Sequence, residues 1–281
     1  MRAERPKPEL PPAPEPLEAP VFDAHCHLDA MAERSGREPD AEFVAEVLAA
    51  ARAVGVTRVI TVGDTLGSSR WCVQAAHGHP DVYAAVAVHP TEIDGLDDAG
   101  YAELAELAAD DRVVAVGETG LDYYWDRTEP AAQQEHFRRH LALAEQVGKP
   151  VMIHDRDAHA DVLRILREER APAAGTVFHS FSGDAEMAAE CVEAGYVLSF
   201  SGIVTFGNAP ALREAAAVTP IGSLLVETDA PFLTPHPYRG RPNSPVMVPL
   251  TLRAVAEVTR TDVPAAARGI EATGRRLFGW E

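Results

Sequence analysis

From residue 21 onward the chain alternates between two hydrophobic periods. Short runs rich in Val, Ile, Leu and Phe occur at 21–27, 58–63, 82–89, 113–118, 150–154, 176–179, 196–201 and 223–229, and their length and β-branched content predict buried strands. Between them lie Ala/Leu/Glu-rich stretches with apolar residues every three to four positions. These predict helices near 40–54, 68–78, 97–109, 130–147, 157–170, 184–194, 209–217 and 246–259, with one more near 263–276. Eight strand–helix units over roughly 255 residues match a (β/α)8 barrel in count and length. A doubly wound open sheet also alternates strands and helices, but it usually places a Gly-rich phosphate loop after its first strand. Here that place holds His-Cys-His-Leu-Asp.

Residues 1–20, "MRAERPKPELPPAPEPLEAP", break the alternation. Proline removes backbone donors and no apolar period is present, so a disordered or polyproline-II tail is expected, ahead of a single barrel domain over 21–281.

The polar residues fall where the predicted strands end. His25 and His27 end the first strand, Glu118 the fourth, His154 the fifth, His179 the sixth and Asp229 the eighth. Barrel enzymes build their sites at this carboxyl end. Strand residues two apart share a face, so His25 and His27 both point into the barrel, with Asp23 one layer below and Glu227 beneath Asp229. Those two acids either support the ligand imidazoles or serve as hydrogen-bonded structural acids. Four imidazoles with two carboxylates suit divalent ions such as Zn, Mn or Mg. Six donors exceed the four of a closed zinc site and favour two ions. The expectation is that His25, His27 and Asp229 hold one ion and His154 and His179 the other, with Glu118 between them. A water activated between the ions is the expected nucleophile, and Asp229 its general base.

Composition limits the partners. With 25 basic and 43 acidic residues the net charge is −18, which discourages loose binding to nucleic acid or anionic membranes. A local site is not excluded, since charges beyond about 8 Å are screened at physiological salt. Two divalent ions bring about +4 against −2 from Glu118 and Asp229. Arg156, Arg239 and Arg241 are candidate phosphate contacts or, equally, loop arginines in surface ion pairs. His89, at the end of the third strand, is a further candidate for contact with phosphate or for support of the ligands. Tyr123, Tyr124 and Trp125 could stack bases, but packing beneath a loop is the expectation. Three scattered cysteines do not form a disulfide framework. No run approaches a membrane span and no signal peptide is evident, so a cytoplasmic location is expected.

"FDAHCHLD", "GVT", "AVHP", "VGETGLDYY", "GKPVMIHDRDA", "FHSFSG", "FSG", "ETDAPFLTP" and "RGRPN" follow one another in order. Together they resemble the TatD family of metal-dependent hydrolases, within the amidohydrolase-like barrels, from Val21 nearly to the C-terminus. The resemblance implies a two-metal TIM barrel with metal-dependent deoxyribonuclease activity, often 3′→5′ exonucleolytic, and places the ligand roles on His25, His27, Glu118, His154, His179 and Asp229. The sequence departs from the family pattern at "HDRDA", where a Ser or Thr often follows the His, and at Ser244, where Glu is more usual. Neither is a ligand position, so both bear on substrate contacts. So acidic a chain is expected to take short single-stranded DNA ends rather than wrap a duplex. The rival reading is a small-molecule hydrolase of lactones, amides or phosphotriesters on the same barrel. Binuclear amidohydrolases often bridge their metals with a carboxylated Lys, whereas Glu118 stands here, which favours the nuclease branch.

Overall fold

The computed structural model describes residues 9–280. Eight strands, β1 (Val21–Cys26), β2 (Val56–Val62), β3 (Val82–Val86), β4 (Val113–Asp122), β5 (Val151–Arg156), β6 (Thr176–Phe178), β7 (Val197–Phe200) and β8 (Leu224–Val226), pair in sequence order. Every ladder is parallel. The helices are α1 (Leu28–Ser35), α2 (Ala41–Ala53), α3 (Leu66–Gly78), α4 (Asp98–Ala109), α5 (Pro130–Val147), α6 (His159–Glu169), α7 (Ala185–Glu193), α8 (Pro210–Val218), α9 (Val248–Val258) and α10 (Val263–Phe278). This is the expected (β/α)8 barrel. Every residue of β1 and β4 is buried, as strands covered on both faces require.

The capping chemistry that starts the helices is local. Asp40, Asp97, Asp184 and Asp262 each accept a bond from the backbone N–H three residues on, and Thr65 and Ser68 form a reciprocal capping box. At the amino end of the barrel, Phe22 meets Phe278 and Trp280 edge-on, at ring separations of 6.3 and 4.8 Å. The last helix and Trp280 just after it thereby pack on the outer face of β1, where the Phe22 ring also lies against Gly274.

The barrel closes at its functional end. β8 joins β1 through an isolated bridge between Cys26 and Ala230. The His27 N–H donates to the Ala230 carbonyl at 2.7 Å, and the Asp229 N–H to the His25 carbonyl at 2.9 Å. Asp23 fastens the same seam from inside. One of its oxygens accepts from the N–H groups of Thr228 (2.9 Å) and His25 (3.2 Å), the other from the Thr228 hydroxyl at 2.5 Å.

Several elements differ from the sequence-based expectation. A helix, α1, follows β1 directly, because Leu28, Met31 and Ala32 bury one face over just two turns, too short a stretch for periodicity to reveal. β4 continues four residues past Glu118, since Thr119 to Asp122 pair with Ile153 to Arg156 of β5. Its ladder shifts register between Val116 and Thr119, and such irregularities re-aim side chains beside active sites. β1, β3, β6 and β8 end before His27, His89, His179 and Asp229, so these residues stand just beyond the strands.

Residues 9–20, part of the expected tail, have no helix or strand but run fixed along the barrel. The Leu17 N–H donates to the Val54 carbonyl at 3.1 Å, and the Arg253 guanidinium to the Glu15 carbonyl at 2.7 Å. Pro11 and Ala19 are buried. The first eight residues of that tail lie outside the described residues. Among the described residues no helix is long and apolar enough to cross a membrane.

At Gly120 (φ +140°), where β4 and β5 approach, an added Cβ would overlap the His154 carbonyl oxygen. Gly120→Ala is expected to cost at least about 3 kcal/mol. Gly148→Ala, at φ +66° with open space around it, is expected to cost about 1 kcal/mol. Urea midpoints of the two variants check this; equal losses would contradict it.

Candidate metal centre

The six expected ligands converge at the carboxyl end of the barrel around the Glu118 carboxylate. Its Oε2 lies 3.4 Å from His25 Nε2 and 3.8 Å from His27 Nε2. Its Oε1 lies 2.5 Å from His154 Nδ1 and 3.0 Å from His179 Nε2. Asp229 Oδ1 completes the first group, 3.8 Å from His25 Nε2 and 3.5 Å from His27 Nε2. Asp229 has φ +53°, in the left-handed region that Asp tolerates better than most residues.

The nitrogen of each histidine that faces away from Glu118 is already engaged. His27 Nδ1 lies 2.9 Å from the Val62 carbonyl and His179 Nδ1 2.9 Å from Glu227 Oε1. His154 Nε2 lies 2.9 Å from Asp122 Oδ2. These partners are acceptors, so they assign the proton of each neutral ring to its outer nitrogen. The inner lone pairs of His27, His154 and His179 then face carboxylate oxygens. His25 Nδ1 rests against the Met152 sulfur at 3.2 Å, while its Nε2 stands 3.1 Å from His27 Nε2. Lone pairs gathered at such distances repel unless a cation lies among them. Tetrahedral ligands about 2.0–2.1 Å from a Zn ion stand about 3.4 Å apart, close to the 3.1–3.8 Å separations of the His25, His27, Glu118 and Asp229 atoms. The donor set fits a divalent ion.

The proton affinities report the same crowding. Burial, with His179 adding to it, lowers His25 to about 4, and burial together with His154 lowers His89 to about 3. Burial acts in the same direction on His27 and His154, but Asp229 overcomes it at the first and Glu118 with Asp122 at the second, holding both at about 9. Burial would raise Glu118; the adjacent His179 and His154 instead hold it well below the usual carboxylate range.

The other expected residues separate. His89 belongs to the centre: its Nε2 lies 3.7 Å from Glu118 Oε1 and its ring meets His154 edge-on at 4.4 Å. Glu227 Oε1 lies 2.9 Å from His179 Nδ1 and also accepts from the Ser180 N–H at 2.9 Å. Asp23 instead bonds the backbone of the β1–β8 seam, and burial pushes its carboxyl up to about 7 against those donors. Arg156 lines the cavity over the centre, which has a volume of about 630 Å³. Arg239 and Arg241 are not among the residues lining that cavity. Arg239 lies 4.5 Å over the Phe206 ring, and Arg241 donates to the Glu9 and Leu10 carbonyls at 3.0 Å. Tyr123 packs as a structural residue, donating to Asp161 Oδ2 at 2.9 Å, whereas Tyr124 and Trp125 are exposed. Asp122 was missed. Its signal is parity: positions 118, 120 and 122 of one strand share a face.

Eight parallel strands ringed by helices, with imidazoles and carboxylates gathered at their carboxyl ends, define a metal-dependent hydrolase of the (β/α)8 class. The family model for TatD-related DNase matches residues 22–279, and the chain belongs to that family. It is 50% identical over 264 residues to the uncharacterized metal-dependent hydrolase TatD of Mycobacterium tuberculosis, covering 92% of this chain and 98% of that relative. The crystal structure of YJJV, a TatD homologue from Escherichia coli K12, superposes with a TM-score of 0.83 at 28% identity, over 93% of this chain and 98% of that one. An organophosphorus hydrolase from Deinococcus radiodurans shares the barrel alone, at a TM-score of 0.60 and 16% identity over 92% of each chain.

Without metal, His27 and His154 keep a proton up to about pH 9, and each must be neutral to ligate. Apparent Zn²⁺ or Mn²⁺ affinity is therefore expected to fall about tenfold per pH unit for each proton displaced as pH drops below about 9. Titrations at about pH 6, 7 and 8 check the slope; an affinity independent of pH would contradict it.

Proposed function

We propose that this chain is a deoxyribonuclease that hydrolyses phosphodiester bonds at the ends of single-stranded DNA, in the 3′→5′ direction, with two divalent ions (Mg, Mn or Zn). The observation that carries the reading is the division of Glu118, whose two oxygens face separate sets of imidazole nitrogens. His25, His27 and Asp229 would hold one ion and His154 and His179 the other, Glu118 reaching both. Ions so held supply Lewis-acid charge to a phosphoryl oxygen and lower the pKa of a nearby water.

The chain's own residues do the rest. Asp229 is the general base that takes a proton from the attacking water, its backbone fixed by the bond from its N–H to the His25 carbonyl at 2.9 Å. Asp122 and Glu227 hold His154 and His179 in orientation. The Arg156 guanidinium has no carboxylate partner among the described residues, so its charge is available to a phosphate. His89, between Thr91 and the Glu118 carboxylate, is the second phosphate contact on this reading.

A second reading has one observation in its favour. The cavity volume of about 630 Å³, with Ile203, Phe232 and Leu233 on its wall, lies within the range of small-molecule sites. Lactone or phosphotriester hydrolysis is the activity it would suit.

End-labelled single-stranded oligonucleotides with Mg²⁺ or Mn²⁺ decide between the two. The nuclease reading expects stepwise loss from the 3′ end, with kcat lowered about 10²- to 10⁴-fold in Asp229→Asn. Lactone or phosphotriester turnover without oligonucleotide cleavage would overturn it.

A further inference from the structure

The rim of the same cavity carries aromatic surface that the ligand set leaves unused. Tyr124 is 54% and Trp125 47% exposed, on the loop that follows β4. Trp125 lines the cavity and Tyr124 meets its ring edge-on at 4.9 Å, so the two form one exposed aromatic patch of the kind that marks a contact surface. The loop beneath them is pinned. Asp122 Oδ1 accepts from the N–H groups of both Tyr124 and Trp125 at 3.0 Å, while the other oxygen of the same carboxylate faces His154. Gln133 accepts from the Asp122 N–H at 2.8 Å and donates to the Asp122 and Thr128 carbonyls at 2.9 and 3.2 Å. The rings therefore stand at a set distance from the metal ligands.

Cations accompany them. The Arg156 guanidinium lies 3.9 Å from the centre of the Tyr124 ring, and Arg127, paired with Glu92 at 3.0 Å, lies 5.7 Å from that of Trp125. Trp125, Arg127 and Arg156 all line the cavity of the centre. Ring faces beside guanidinium groups suit a polymer that alternates flat bases with phosphates.

We infer that Tyr124 and Trp125, with Arg156, form a stacking platform for the unpaired bases next to the scissile phosphate. This rests on the nuclease reading above and deepens it, because the platform is what selects a single strand. In a duplex the same base faces are already stacked on their neighbours and the edges paired. Each base so stacked contributes about 5- to 150-fold to affinity, with little regard to its identity. Sequence tolerance follows, together with a requirement for two or three unpaired nucleotides.

The test uses ten-nucleotide single strands, intact or with abasic spacers at the second and third nucleotides from the cleaved end. In the wild type, the spacers are expected to lower kcat/KM at least about tenfold. In Tyr124→Ala/Trp125→Ala, intact and abasic strands are expected to be cleaved alike, and Trp125→Phe to restore part of the discrimination. The thermal midpoint of the double variant confirms folding. Wild type that cleaves intact and abasic strands equally, or a double variant that discriminates as strongly as wild type, overturns the platform alone. Wild type that cleaves no oligonucleotide overturns the nuclease reading and the platform with it.

Discussion

The centre depends on one crowded carboxylate. Glu118 sits 4% exposed at the top of the barrel, with His25 and His27 on one oxygen and His154 and His179 on the other. Burying that charge is costly without compensation, and neutral imidazoles directed at it by their outer hydrogen bonds do not compensate it. Cations do. The surrounding carboxylates raise the proton affinity of His27, His154 and His179, and divalent ions would supply a greater compensating charge.

That arrangement requires a rigid frame, and the fold supplies it at the point where closure is most delicate. β1 and β8 meet through one bridge rather than a long ladder. Of the residues of that seam, His25 and His27 face one oxygen of Glu118, and Asp229 faces the same two imidazole nitrogens. Asp23 takes no part in orienting an imidazole but binds the two strands together through Thr228. On the opposite side the β4–β5 ladder is extended by four residues beyond Glu118, carrying Asp122 to His154. The ladder that holds Glu118 thus also fixes the partner of the neighbouring His154.

Much of this was legible in the sequence, for a physical reason. Parallel strands buried on both faces tolerate polar residues only where function or pairing supports them, so His25, His154 and His179 stood out against apolar runs. The strand count followed from the same contrast. Less legible were features set by long-range contacts. The extension of β4 depends on pairing with β5, which local propensity does not reveal. Arg241 looked like a phosphate contact because it lies in a Gly/Pro-rich loop after the eighth strand, yet its guanidinium is taken by carbonyls of residues 232 and 231 positions earlier. No local signal announces such a bond. The exposure of Tyr124 and Trp125, against the expectation that they pack beneath a loop, escaped the sequence for a similar reason, because it depends on which loop covers which.

The central claim is that Glu118 divides the site into two cation positions, one per oxygen. Anomalous diffraction from crystals grown with Mn²⁺ measures this most directly. The account predicts two peaks, one on each side of the Glu118 carboxylate and about 3.5–4 Å apart. The first should lie among His25, His27 and Asp229, the second beside His154 and His179. A single peak at saturating Mn²⁺, or two peaks that do not share Glu118, would contradict it.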